Sequence, residues 1–272
     1  MTPCLADVTV LATPLTESLK AARDAGFAHA EIWLTKLETA LKEQPPARLH
    51  ATIKELGLTL AAAAYQGGLL LSQGLQRREH FDHFQRRLSL CQEFRIPLLV
   101  IVPDQAEQVR AADLERAFVS LKQAAQLAAS FDVKLALEFH GSSRWCGTLP
   151  TALQLVAACD EPNLGICLDL FHFYTGASKF EDLAQLDPRR LFHLQICDLA
   201  GVPRELATDS DRILPGDGDF QVRILLDALR RGQWSGTVAV ELMNPALWQM
   251  KAPQVAAAAW GSLKALGVAG SR

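Results

Sequence analysis

The chain has no CxxC pair, no excess of basic residues, no long apolar run and no glycine-rich fingerprint, and each absence closes a function class. Its six cysteines, Cys4, Cys91, Cys146, Cys159, Cys167 and Cys197, lack the tight spacing of a zinc ribbon, a dithiol redox centre or a disulfide framework. Most sit among apolar neighbours, as in GICLDL and LQICDL, where cysteine behaves as a small core residue. Reduced thiols and a cytoplasmic location are therefore expected. With 27 Lys+Arg against 30 Asp+Glu the formal charge is −3, which offers no electrostatic footprint for nucleic acid or an anionic membrane surface. The most concentrated apolar stretch, residues 96–102, is interrupted or followed by Pro97 and Pro103 and falls far short of the ~20 residues of a membrane span. The N-terminus, MTPCLADVTVLATPLTES, has no basic region of the kind that opens a secretory leader. What the chain does have is a core: 49% of its 272 residues are hydrophobic and 21% charged, a balance that excludes a disordered chain.

Short β-rich runs alternate with helix-period segments along the whole length. Strands are expected at 7–11, 28–34, 58–64, 98–102, 133–139, 164–170, 191–197 and 236–242. Helices are expected at 15–25, 78–94, 114–130, 149–158 and 222–231, among others, with Gly26 and Gly232 at C-termini and Pro14 and Pro150 near starts. Spread over 272 residues, eight such units take about 34 residues each. No composition break divides them, so a single (β/α)8 domain over residues 1–272 is expected. Without a glycine-rich turn after the first strand, a closed barrel is favoured over an open dinucleotide-binding sheet. Two long connections, 66–76 and 198–219, follow the third and seventh strands and are expected on the C-terminal face, where barrel active sites assemble.

The last four strands each deliver a polar residue at their end: Glu138 from KLALEFHG, Asp169 from LGICLDLFH, Gln195 from LFHLQICD and Glu241 from TVAVELMNP. Period-two alternation puts Ala136, Cys167, His193 and Ala239 on the same faces and the intervening aliphatic residues on the opposite ones, so the polar set is directed into the barrel mouth. Any one strand-end carboxylate is accounted for by capping a neighbouring helix or pairing with a cation. Four in consecutive units, three of them anionic, are accounted for by a divalent metal. An amide oxygen and three carboxylates form a hard site suited to Mn²⁺ or Mg²⁺. An imidazole ligand, for which His172 and His193 stand near enough, moves the balance towards Co²⁺ or Zn²⁺.

These residues resemble the xylose-isomerase-like barrel superfamily of sugar phosphate isomerases and epimerases. LDLFHFY resembles its Asp-x-x-His strand end, with Asp169 and His172. DSDRILPGDGDF resembles its Arg-x-x-Pro-Gly-x-Gly loop, with Arg212, and GTVAVELMNPALW resembles the strand carrying its last metal-binding Glu. The resemblance covers most of the chain and is strongest over residues 135–245; its DxDRxxPGxG loop and VELMNP point to a 2-keto-myo-inositol isomerase-like subgroup. Two positions depart from that subgroup. Gln195 stands where it usually has His, as in hydroxypyruvate isomerases and 3-dehydroshikimate dehydratases, and Cys197 replaces the lysine of its His-x-Lys-Asp pattern.

The resemblance implies a (β/α)8 TIM barrel acting on a sugar, an inosose or a small hydroxy-keto compound. It implies that Glu138, Asp169, Gln195 and Glu241 hold a divalent metal that stabilises an enediolate, and that Glu138 and Glu241 also serve as acid and base. His172 is then placed to hydrogen-bond a substrate hydroxyl or a ligand carboxylate, or else packs beneath a loop. His140 shares the face of Glu138 and lines the pocket, and His193 lies one layer below Gln195. Arg212 holds a polar or anionic substrate group, or forms a salt bridge with a nearby Asp. Glu31 ends the second strand and is expected in a structural pairing, while Trp33, Tyr65, Trp145 and Phe173 are candidates for apolar walls. Gly216 and Gly218 are expected to serve the turn itself.

Dehydration of dehydroshikimate on the same metal site is the alternative chemistry. A sugar-binding barrel without activity is the alternative class, although such a barrel is expected to lose Glu138 or Glu241, and both are present. The superfamily's AP endonuclease needs further histidines for its zinc cluster. Here His29, His50, His80 and His83 fall mostly on helices or helix ends and the charge is negative, so no nucleic-acid and no membrane partner is expected. A homo-oligomer is expected only in that barrels of this kind commonly pair.

Overall fold

In the computed structural model, which describes residues 1–270, the strands are β1 (Thr2–Ala6), β2 (His29–Trp33), β3 (Thr59–Gln66), β4 (Leu98–Ile101), β5 (Lys134–Glu138), β6 (Leu164–Asp169), β7 (Leu191–Ile196) and β8 (Thr237–Val240). The helices are α1 (Leu15–Ala25), α2 (Leu34–Glu43), α3 (Pro46–Leu56), α4 (Gly74–Glu93), α5 (Ala111–Ala129), α6 (Leu149–Cys159), α7 (Leu170–Thr175), α8 (Val222–Arg231), α9 (Pro245–Trp248) and α10 (Ala252–Ala265). Neighbouring strands hydrogen-bond in the order β1 to β8 and close into a parallel barrel. Parallel strands covered on both faces read as continuous apolar runs, and LLVI of β4 and LGICLD of β6 are buried throughout.

The chain divides into two compact units, one comprising Met1–Ala61 and the chain from Leu194 onward, the other Ala62–His193. The second has an apolar centre of Ala62, Leu98, Val100, Val102, Ala136 and Cys167, with Phe192 packed against it. The centre of the first is Cys4, Ala6, Val8, Ala61 and Ala239, flanked by Trp33, Met243 and Trp248. Ala136, Cys167 and Ala239, which alternation assigns to the inward face, all lie in these centres.

Helices α1 and α8 occupy the expected residues, and seven strands lie within one or two residues of expectation at most ends. The first strand does not. DVTVL alternates polar and apolar residues like a half-buried strand, yet Asp7–Val10 is a 3-10 turn with all four residues buried, and the strand is the preceding TPCLA. The polar residues of that turn find interior partners instead of solvent. Asp7 Oδ1 accepts from Ser18 Oγ (2.5 Å) and Lys36 Nζ (2.7 Å), and Thr9 Oγ1 donates to the Val240 carbonyl (3.0 Å). At the C-terminus of α1, Gly26 takes the left-handed conformation with φ +117°. At the end of α8 that conformation falls one residue later than expected, on Gln233 (φ +58°), while Gly232 keeps φ −75°. The connection after β3 is shorter than expected because α4 begins at Gly74.

No helix among the described residues is long and apolar enough to cross a membrane. All six cysteines are buried, and none forms a disulfide among the described residues. Burial pushes the thiols of Cys91 and Cys146 up to about 12 and that of Cys159 to about 11. The thiolate is the reactive form, so iodoacetamide at about pH 8 is expected to leave these cysteines unmodified in the folded chain and to alkylate them after denaturation, as read by mass spectrometry.

Candidate active site

In the Ala62–His193 unit, β5 ends on Glu138, and its carboxylate is gripped by two imidazoles. Glu138 Oε1 lies 3.3 Å from His140 Nε2 and 3.3 Å from His172 Nε2, and the two rings stack at a tilt with centroids 4.3 Å apart. His140 follows two residues after Glu138. His172 is delivered by α7, which starts at the last residue of β6: Asp169 is its N-cap, with Oδ1 accepting the Phe171 N–H at 2.7 Å. The Asp-x-x-His spacing thus makes the strand end cap a short helix whose first turn carries the histidine. Burial on its own pushes the Glu138 carboxyl up, but the hydrogen bonds and charges of His140 and His172 outweigh it and hold the group well below the usual carboxylate range.

The three ligand-capable atoms of Glu138, His140 and His172 lie within 4.8 Å of one another. Donors bound at the usual distances around a tetrahedral metal sit roughly 3.4 Å apart, so this group has the spacing and the chemistry of a metal-binding set. It contains His140 and His172, two of the three histidines that the sequence assigns to substrate binding; the third, His193, is not part of it. Asp169 and His193 are both fully buried, the latter in β7 two residues before Gln195.

In the other unit, the amide of Gln195 is held between two carboxylates. Its Nε2 donates to Glu31 Oε1 (2.8 Å) and to Glu241 Oε1 (3.0 Å). With the nitrogen committed to acids, the oxygen is the Gln195 atom of the right polarity for a cation. The second oxygen of Glu241 accepts from Arg212 Nη1 at 3.0 Å, while Arg212 Nε and Nη2 both donate to Asp209 Oδ1 at 3.0 and 2.7 Å. The guanidinium is only 1% exposed. The expected salt bridge to a nearby Asp is therefore present, together with a buried pairing to Glu241 that spacing alone does not reveal. The pairing expected for Glu31 is with Gln195.

Arg212 sits on a segment tied down by Asp198. The Asp198 backbone pairs antiparallel with Ile213 (2.9 and 3.0 Å), and its carboxylate accepts N–H groups from Leu199, Gly216 and Phe220 at 2.8–2.9 Å. Gly216 has φ +94°, and a Cβ on Gly218 would lie 2.5 Å from Asp198 Oδ1. Both glycines serve the turn, as the sequence implies. Two features were missed at the sequence level: the partnership of Arg212 with Glu241, and Asp104, which organises the loop after β3. Asp104 follows the apolar β4 as Pro103-Asp104 and carries the same polar strand-end signal as the four residues singled out.

The chain matches the xylose isomerase-like TIM barrel family over residues 19–266 and belongs to it. Among its relatives are the inosose isomerases of Halalkalibacterium halodurans, 31% identical over 180 residues, and of Bacillus subtilis, 30% identical over 179. Each match covers 65% of this chain, and the chain spans 64% of the length of those two relatives. A 3-dehydroshikimate dehydratase of Pseudomonas aeruginosa is 26% identical over 247 residues, 86% of this chain and 37% of its own. Among solved structures, the IOLI protein, crystallised with a zinc atom, superposes with a TM-score of 0.92 at 26% identity and 98% coverage of both chains.

Proposed function

We propose that this chain is a divalent-metal-dependent isomerase or epimerase of an inosose, a sugar or a small hydroxy-ketone, with Glu138 and Glu241 as its acid and base. The observation that carries the reading is the Glu138 carboxylate held ionised between His140 and His172, in a chain related to inosose isomerases. Its metal ligands are assigned on chemistry to the polar ends of four consecutive strands, Glu138, Asp169, Gln195 and Glu241. That all-oxygen set suits Mn²⁺ or Mg²⁺; an imidazole recruited as a ligand from His140 or His172, which stand beside Glu138, would move the balance to Co²⁺ or Zn²⁺, the latter being the ion in the IOLI protein.

Once bound, the ion supplies Lewis acidity to adjacent oxygens of a hydroxy-ketone. Glu138, oriented by its two histidines, is assigned as the base that takes the proton from substrate carbon. Glu241 handles the opposite transfer, its carboxylate oriented by Gln195 on one oxygen and Arg212 on the other. With its donors engaged by Glu241 and Asp209, Arg212 is a positioning residue for that carboxylate. His172 and His140 orient Glu138 and offer hydrogen bonds to substrate hydroxyls, with His193 as a further candidate for that role. Proton return to the neighbouring carbon gives isomerisation; return to the other face of the same carbon gives epimerisation.

Loss of a β-hydroxyl instead would make the chain a dehydratase, a second reading favoured by Gln195 and by the Pseudomonas relative. The deciding experiment assays inosose, hydroxypyruvate, common ketoses and dehydroshikimate in deuterated buffer, with Mn²⁺, Mg²⁺, Co²⁺ or Zn²⁺ added or with all metal removed by chelation. Isomerisation with solvent deuterium incorporated at a substrate C–H, lost on chelation and restored by one of these ions, is expected. An aromatic product from dehydroshikimate would establish the dehydratase. Absence of exchange with every compound would reduce the protein to a binding barrel.

A further inference from the structure

A cavity of about 490 Å³ opens beside the Glu138 cluster within the Ala62–His193 unit, and His140 is part of its wall. Its size falls among small-molecule sites, which run about 300–1,000 Å³. Tyr65, Ser72, His80, Asp104 and Gln105 supply polar groups to the rest of the wall. Ser72 is 8% exposed, and its buried hydroxyl makes no hydrogen bond. An unmet hydroxyl at a cavity wall leaves a hydrogen bond for a ligand to complete.

The charge of the lining selects the ligand. None of the residues lining the cavity is Lys or Arg. The carboxylate among them, Asp104, accepts the Gly68 N–H at 2.7 Å and the Leu71 N–H at 2.6 Å, which fixes the loop that carries Ser72. His80 Nδ1 lies 2.5 Å from the Gly68 carbonyl. A carbonyl only accepts, so Nδ1 donates in this contact. A phosphate or carboxylate brings acceptors and negative charge to a wall already rich in acceptors and lacking a guanidinium or ammonium. Hydroxyl groups both donate and accept, and they match it.

We infer that this cavity is the subsite for the non-reacting hydroxyls of an uncharged polyhydroxylated substrate, with Ser72 as a specificity-determining residue and phosphorylated compounds disfavoured. The inference rests on the isomerase reading for its place beside the reacting carbon, but it is tested by binding. Isothermal titration of the metal-loaded full chain with myo-inositol and with myo-inositol 1-phosphate compares a neutral probe with its charged counterpart. The neutral probe is expected to bind at least about tenfold more tightly, and Ser72→Ala to weaken it about tenfold, the loss of one hydrogen bond. Thermal unfolding is expected to be unchanged in the variant, because it deletes only a hydroxyl that makes no bond. Equal binding of inositol by Ser72→Ala and wild type, or phosphate binding as tight as inositol, would overturn the subsite even if deuterium exchange occurs. Selective inositol binding that depends on Ser72, in a chain without exchange activity, would uphold the subsite and dismiss the isomerase.

Discussion

Replacing Glu241 by Gln is expected to lower kcat by about 10²–10⁴-fold, the range for loss of a positioned acid or base, while the chain still folds. Glu241 directly follows β8 and is buried, with one oxygen accepting from Gln195 and the other from Arg212. Gln keeps the volume and one acceptor but turns the second oxygen into an N–H donor. That donor must face either the Gln195 amide nitrogen or the Arg212 guanidinium, so one hydrogen bond becomes a donor–donor contact. The stability cost is about 1–3 kcal/mol, that of one unsatisfied buried group, and urea unfolding measures it. Steady-state rates on the preferred substrate read the catalytic loss. Near-normal turnover in this variant would remove Glu241 from the acid–base pair.

Truncating Arg212 to Ala is expected to destabilise the fold by about 3–5 kcal/mol, the usual consequence of leaving one member of a buried ion pair without its partner. The guanidinium is 1% exposed and bridges Glu241 at 3.0 Å to Asp209 at 2.7 Å. Without it, Glu241 keeps its charge in the interior, where the Gln195 amide still donates to its other oxygen. Asp209 is a different case, because its side chain is 45% exposed. Water replaces the lost cation there, so Asp209→Ala is expected to cost about 1 kcal/mol or less. The contrast separates the two contacts of one arginine by denaturant midpoints alone. Activity falls in Arg212→Ala through misorientation of Glu241, so kcat drops more than KM rises. An Arg212 that bound a substrate anion directly would show the reverse split.

The order of strands and helices, and the polar residues that terminate β5, β6, β7 and β8, were determined by the amino-acid sequence alone. Alternation over five or six residues, a capping glycine after α1 and the Asp-x-x-His spacing are local signals, each complete within about ten residues. Gly216 and Gly218 belong to the same class, because the turn that requires them is local. The tertiary structure decided which polar groups meet. Gln195 pairs with Glu31 across 164 residues of sequence, and Arg212 reaches Glu241 across 29. Glu138 is gripped by His172, which belongs to the next strand–helix unit. Asp7 and Thr9, whose alternation reads as strand, fold into a turn because interior partners on α1, α2 and β8 take up their hydrogen bonds. The physical reason is the same in each case. A periodic pattern states which face a residue occupies, but its partner depends on strand register and rotamer, which are set only when distant segments pack together.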